Sequence, residues 1–141
     1  MDRHAKAQSS GDLKSGKGAL SSGSGVLSNT PYSFRDRFED GPNTNPEELL
    51  AAAHAGCFTM ALSMTLGLAG LKAESLDTTC TVTLDKEGDG FAIKKSALKL
   101  VAKVPGASQE AFNQATQQAK EGCPVSKLFD TEITLDAKLE S

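Results

Sequence analysis

The sequence predicts an α+β fold in which a mainly antiparallel sheet packs on a long, buried central helix. Three observations carry this. Residues 49–71 hold no Asp, Glu, Lys or Arg. Residues 76–85 and 131–140 alternate apolar and polar side chains with the period of a strand. The segments follow one another as strands, helix, strands, helix, strand, an order suited to helices lying on an antiparallel sheet. At 141 residues the chain fits one domain, residues 1–141.

The first thirty residues are rich in Gly and Ser, with short alternating pieces at 4–8 and 19–22. Turn-like Ser9-Ser10-Gly11-Asp12 and Ser15-Gly16-Lys17-Gly18 separate them, so a hairpin at a sheet edge is expected, with a flexible tail as the alternative for the first few residues. Residues 32–38 read as a strand, Tyr32, Phe34 and Phe38 on one face and Ser33, Arg35 and Arg37 on the other. Asn45-Pro46-Glu47-Glu48 is a helix start: Asn45 suits the N-cap, Pro46 the first helical position, and the glutamates the positive helix end. That helix runs through Cys57 towards Gly67 or Gly70.

In the next strand Leu76, Thr78, Cys80, Val82 and Leu84 share a face, and Glu87-Gly88-Asp89-Gly90 turns the chain. The return strand, 91–104, points Leu98, Leu100, Ala102 and Val104 inward and Lys99 and Lys103 outward. Ser108 caps a helix with Phe112, Ala115 and Ala119 on one side and Gly122 at its end. Pro124 opens a short helix, and Ile133, Leu135, Ala137 and Leu139 alternate along the last strand.

Formal net charge is -3, with both signs interspersed, so no basic stripe exists to bind nucleic acid. Residues 1–11 are polar and lack the apolar core of a secretory signal, which leads to a cytoplasmic expectation. The uncharged stretch 49–71 is long enough to cross a membrane, for which ~20 apolar residues suffice. Its Ala, Gly, Ser and Thr content makes insertion weak, and a core helix surrounded by protein is expected instead.

Three cysteines are too few for a secreted disulfide framework. Cys80, on an apolar strand face between Thr78 and Val82, reads as a small buried hydrophobe. Cys57 lies in the long helix, with Leu50, His54, Ala61 and Met64 on its side. Cys123 follows Gly122 and precedes Pro124, where a helix's positive end lowers a thiol's pKa, and it continues the face of Phe112, Ala115 and Ala119. Two converging thiols suggest redox chemistry or metal binding. His54, Cys57 and Cys123 would make three ligands, without a CxxC, an HxxxH or an obvious fourth. Metal therefore ranks below redox, with His54 expected to be a core histidine donating to a backbone carbonyl.

The segment Thr44-Asn45-Pro46-Glu47-Glu48-Leu49-Leu50-Ala51-Ala52-Ala53-His54-Ala55-Gly56-Cys57-Phe58 closely resembles the OsmC/Ohr family of hydroperoxide peroxidases. Ala119-Lys120-Glu121-Gly122-Cys123-Pro124-Val125-Ser126 is similar to that family's second cysteine region. Shorter similar stretches, such as Pro31-Tyr32-Ser33-Phe34 and Glu132-Ile133-Thr134-Leu135-Asp136, extend the likeness over nearly the whole chain and point to the osmotically inducible protein C branch. The resemblance implies an intertwined homodimer with active sites at its interface. It implies Cys57 as the peroxidatic thiolate, which becomes a sulfenic acid, and Cys123 as the thiol that condenses with it to a disulfide. It also implies Arg37 as the cation that stabilises the thiolate, and Glu47 as the carboxylate that orients Arg37 through a bidentate pair. Arg35 is a decoy candidate on the same strand face.

The substrate implied is an organic hydroperoxide, with hydrogen peroxide also accepted, and the small apolar lining Ala53, Phe58 and Ala61 suits an organic tail. The electrons would come from an external thiol or dithiol, lipoyl-type dithiols among the candidates, with no bound cofactor and no metal. A redox-sensing or ligand-binding module that uses the same cysteines without turnover is the competing reading. Helix geometry adds a constraint. Glu47 is offset from Cys57 by only ~80° around a helix but lies ~15 Å from it along the axis. Either the helix breaks, or the Arg37–Glu47 pair that serves Cys57 comes from a second chain.

Overall fold

The computed structural model describes residues 1–140, and their contacts divide into two compact units, Met1–Leu49 and a second that begins at Leu50. The first unit holds β1 (Ala5–Ser10), β2 (Lys17–Ser22) and β3 (Thr30–Tyr32), an antiparallel sheet in that order. The expected hairpin is present, closed by a turn over residues 11–16. In it Gly11 takes a positive φ of 83°, and Asp12 Oδ1 accepts from the Ser15 amide and hydroxyl, both at 2.7 Å.

The expected strand over 32–38 is overturned. β3 stops at Tyr32, and Phe34–Phe38 is a short helix, α1. The reason is local: Ser33 accepts from the Asp36 amide at 3.3 Å and donates its own hydroxyl to Asp36 Oδ2 at 2.7 Å, a reciprocal cap that outweighs the period-2 pattern. Arg35 and Arg37 therefore do not share a strand face; two helical residues apart is about 200° around the axis.

α2 (Pro46–Leu68) begins as the sequence expects, with Asn45 Oδ1 accepting from the Glu48 amide at 2.8 Å and Pro46 in the first turn. It is unbroken over its 23 residues, and the boundary between the two units falls in its first turns. In the second unit β4 (Ser75–Glu87) and β5 (Gly90–Lys103) form a long antiparallel hairpin with a register shift between Thr83 and Leu84, opposite Lys94. α3 (Gln109–Gly122) follows, capped by Ser108 through the Ala111 amide at 3.0 Å, then α4 (Pro124–Leu128) and β6 (Glu132–Glu140). β6 pairs parallel to β5, because the two intervening helices return the chain to the starting end of the sheet. With three antiparallel pairings and one parallel, the sheets are mainly antiparallel as expected.

One core fills the second unit. The inward residues of β5 are Leu98, Leu100 and Ala102, flanked by Cys80, Thr78 and Leu76 on β4 and by Leu135, Ala137 and Leu139 on β6. Phe112, Ala115 and Ala119 of α3 and Phe58, Leu62 and Leu66 of α2 complete it. Two hydroxyl bridges tie α2 down: Thr59 Oγ1 donates to Thr78 Oγ1 at 2.8 Å, and Thr65 Oγ1 to the Ala115 carbonyl at 3.0 Å.

The expectation that α2 is buried on nearly all sides fails within one chain. Only the stripe His54, Phe58, Leu62 and Leu66 is buried beyond the first turn, at helical spacing. The opposite side, with Met60 78%, Met64 63% and Leu68 83% exposed, faces outward. A three-stranded sheet covers one stripe of a helix, whereas this helix is apolar around its circumference.

Leu100 is fully buried, so Leu100→Ala is expected to lower the unfolding free energy in urea by about 2–5 kcal/mol. Val26→Ala, at a residue 85% exposed, should stay within about 0.5 kcal/mol.

Candidate active site

The two groups of site residues expected from the sequence fall in different units. In the first, Arg37 projects from α1 and Glu47 from the first turn of α2. Arg37 Nε and Nη2 donate to the same oxygen, Glu47 Oε1, at 3.0 and 2.8 Å. The pair thus forms, but not as the bidentate fork expected: both donors converge on one oxygen. Glu47 Oε2 is buried with no hydrogen-bond partner. The Glu47 side chain is 11% exposed and that of Arg37 40%, so one end of the pair is desolvated while the guanidinium stays open.

The segment between them is held by Asp36, which sequence reasoning missed. Its carboxylate is buried and accepts from the Ser33 hydroxyl at 2.7 Å, the Asn43 amide at 2.9 Å and Asn43 Nδ2 at 3.4 Å. Its carbonyl accepts from Asn45 Nδ2 at 3.0 Å. The Ser33 and Asn43 hydrogen bonds hold the Asp36 carboxyl below its ordinary pKa despite burial. Gly41 is required here, since a Cβ on it would stand 2.0 Å from Asp36 Oδ1. The signal available in the sequence was the Ser33-to-Asp36 spacing of a capping box.

In the second unit all three cysteines are free thiols. Cys57, on α2, is half-buried, and Cys123, at the junction of α3 and α4, is fully buried in the core. The structure brings these two together closely enough for Cys123 to perturb the Cys57 thiol. Burial pushes the Cys57 thiol above its ordinary pKa, and the neighbouring Cys123 adds to the rise. The Val125 backbone N–H, in the first turn of α4, donates to Cys57 and pulls the other way. Of the residues expected to line Cys57, Phe58 is buried, Ala61 half-buried and Ala53 exposed.

His54 is fully buried, but its partners are not the backbone carbonyl expected. Nδ1 lies 2.6 Å from Ser96 Oγ and Nε2 2.8 Å from Ser126 Oγ, and the Phe129 ring meets the imidazole edge-on. Both ring nitrogens are thereby engaged, which removes His54 from the three-ligand metal set considered above. Among the described residues no group of three or more His, Cys, Asp or Glu is placed to hold a metal ion. Cys80 Sγ sits 3.2 Å from Ser96 Oγ, and burial raises its pKa. Ser96 and Ser126 carry no sequence pattern of their own; only tertiary packing assembles them on the imidazole.

The fold is that of the OsmC-like proteins. The profile of that family, described as OsmC-like protein, matches residues 39–138, and the chain belongs to it. Over its whole length, and over the whole of the relative, it is 53% identical to Peroxiredoxin OsmC of Escherichia coli (strain K12). It is 35% identical, over 69% of each chain, to the organic hydroperoxide resistance protein-like protein of Staphylococcus aureus. Among solved structures, the organic hydroperoxide resistance protein of Elizabethkingia anophelis superposes with a TM-score of 0.75 at 25% identity, covering 97% of this chain and 96% of that one.

Burial lowers the pKa of His54, so the folded protein holds a neutral imidazole where the unfolded chain would take up a proton. The stability this contributes is complete above the unfolded value of about 6.5 and is lost as pH falls below it. Urea midpoints of the wild type should therefore drop between pH 7 and pH 5. His54→Gln should be less stable at pH 7 but lose less over that interval; an unchanged slope would contradict the assignment.

Proposed function

We propose that the chain reduces organic hydroperoxides, and hydrogen peroxide with them, using Cys57 as the attacking thiolate and Cys123 as the resolving thiol. Thiol-dependent peroxidase activity is supported by full-length identity of 53% to a peroxiredoxin and by the hydroperoxide-resistance relatives. The single observation that carries the residue assignment is the buried Cys123 thiol facing Cys57.

The Cys57 thiolate attacks the terminal oxygen of R–O–O–H; an S–O bond forms, the O–O bond breaks, and the alkoxide leaves as alcohol after taking a proton. Cys57 is then a sulfenic acid. The Cys123 thiol displaces its hydroxyl as water and a disulfide forms. An external dithiol, a lipoyl-type one among the candidates, exchanges with that disulfide, leaves as its own cyclic disulfide and restores both thiols. The peroxide's two electrons come from the dithiol, so no bound cofactor is required.

A thiol raised by burial needs positive charge to ionise, and Arg37 is the cation assigned to it. Glu47 would hold the guanidinium in place. The unbroken α2 supports the second of the two alternatives, in which the Arg37–Glu47 pair of one subunit serves Cys57 of another in a homodimer. The outward apolar side of α2 and the unpartnered Glu47 Oε2 support a site completed by a second copy. The expected setting is the cytoplasm.

With cumene hydroperoxide and excess dithiol, Cys57→Ser should abolish peroxide consumption, Cys123→Ser should over-oxidise at Cys57, and Cys80→Ser should retain turnover. An inactive Cys80→Ser would overturn the assignment. A redox sensor would form the disulfide with one equivalent of peroxide yet show no multiple turnover. Arg37→Ala should slow the peroxide reaction by about 10²–10³-fold, as removal of a preorganised electrostatic partner does. Mixing inactive Cys57→Ser with Arg37→Ala chains tests the shared site. Random dimers would regain about a quarter of wild-type activity if the arginine acts in trans, and none if it acts within its own chain.

A further inference from the structure

The buried His54 is one turn before Cys57 on α2, and the peroxide chemistry described above gives it no task. Its ring bridges two hydroxyls, Ser96 on β5 at 2.6 Å and Ser126 on α4 at 2.8 Å, and all three residues are buried. The polar chain continues from Ser96 to Cys80 on β4 at 3.2 Å. A neutral imidazole has one donor and one acceptor nitrogen, and hydroxyls can fill either role. A consistent arrangement runs in one direction: the Cys80 thiol donates to Ser96, Ser96 donates to His54 Nδ1, and His54 Nε2–H donates to Ser126. Every member is satisfied without a charge.

What this bond reaches is α4, a helix of five residues. Cys123 is its N-cap and makes no side-chain cap hydrogen bond, Pro124 opens it, the Val125 amide donates to Cys57, and Ser126 is the anchor on His54. A helix this short has little stability of its own. Its Leu128 is 76% exposed, while Val125 packs, partly buried, against the apolar core.

We propose that the buried His54–Ser126 hydrogen bond is a positioning device that docks α4 on α2, keeping the Cys123 thiol and the Val125 amide aimed at the Cys57 sulfur. His54 and Ser126 are positioning residues; neither touches substrate. The proposal rests on Cys57 being the attacking thiol for its functional meaning, but its geometry can be read without peroxide.

The test is the pH profile of alkylation at Cys57 by iodoacetamide, read by peptide mass in the reduced full-length protein, with circular dichroism and urea midpoints in parallel. Ser126→Ala should lower the apparent pKa of Cys57, because Cys123 raises it by more than the Val125 amide lowers it, so alkylation near neutral pH should speed up, about tenfold for a shift of one unit. Ser126→Thr, which keeps the hydroxyl, should restore most of the wild-type profile. Ser96→Ala breaks the other His54 bond without touching α4; it should cost comparable stability while leaving the Cys57 profile close to wild type. After one equivalent of peroxide, Ser126→Ala should also yield less disulfide and more sulfinic acid than wild type.

A wild-type alkylation profile in folded Ser126→Ala overturns the proposal, as does an equal shift in Ser96→Ala, which would mark a general packing effect. If Ser126→Ala does not fold, the comparison of His54→Gln with His54→Phe decides. A profile held by Gln and shifted by Phe supports a hydrogen-bonded dock, and equal profiles refute it. Failure of Cys57→Ser to abolish peroxide turnover would remove the peroxidase assignment but leave the alkylation result standing, so the two readings fail separately.

Discussion

Everything in the larger unit hangs on the packing of one stripe of α2 against the inward face of β5. Phe58, Leu62 and Leu66 are at the four-residue spacing that keeps them in line, and Leu98, Leu100 and Ala102 are at the two-residue spacing of a strand. Fully burying each such aliphatic or aromatic side chain contributes about 1.5–3 kcal/mol, so this seam outweighs any single polar contact in the unit. It also fixes the rotation of the helix, and with it the direction of every other side chain on it. His54 extends the buried stripe, and Cys57 stands beside Phe58 at its edge.

That placement sets up an opposition between packing and chemistry. The seam that orders Cys57 also desolvates it, and desolvation disfavours the thiolate. Cys123 lies against the same sulfur, and it too favours the protonated form of Cys57. The local concession is a single backbone amide, that of Val125. A sulfur so placed is quiet until positive charge meets it. The arginine of the smaller unit is itself restrained, with two of its donors spent on one oxygen of Glu47.

The elements with strong periodicity or explicit caps were legible: the α2 start at Asn45 and Pro46, the Ser108 cap of α3, and the alternation of β4, β5 and β6. The 32–38 segment was misread because aromatic alternation over a few residues fits a strand as well as a short helix. The deciding information lay in one serine and one aspartate whose hydrogen bonds are invisible to a hydrophobic pattern. The burial of α2 was overstated, because an all-apolar circumference does not say how much of the helix this chain itself covers. The convergence of Cys57 and Cys123 was legible in their sequence settings, whereas the serines around His54 were not. Ser96 and Ser126 are thirty positions apart and owe their meeting to the fold.

The five-residue helix α4 has a consequence for how the sequence can vary. Sulfur, proline, amide and hydroxyl occupy four consecutive positions, 123 to 126: the sulfur and the amide face Cys57, the hydroxyl meets His54, and the proline opens the helix. Substitution can remove one of these at a time. An insertion or deletion would rotate every later member by about 100° per residue and detach them together. Length is therefore frozen here in a way that residue identity is not. The exposed tip of the β4–β5 hairpin around Gly88 and Gly90 has the opposite character, and extra residues for a tag or a label belong there.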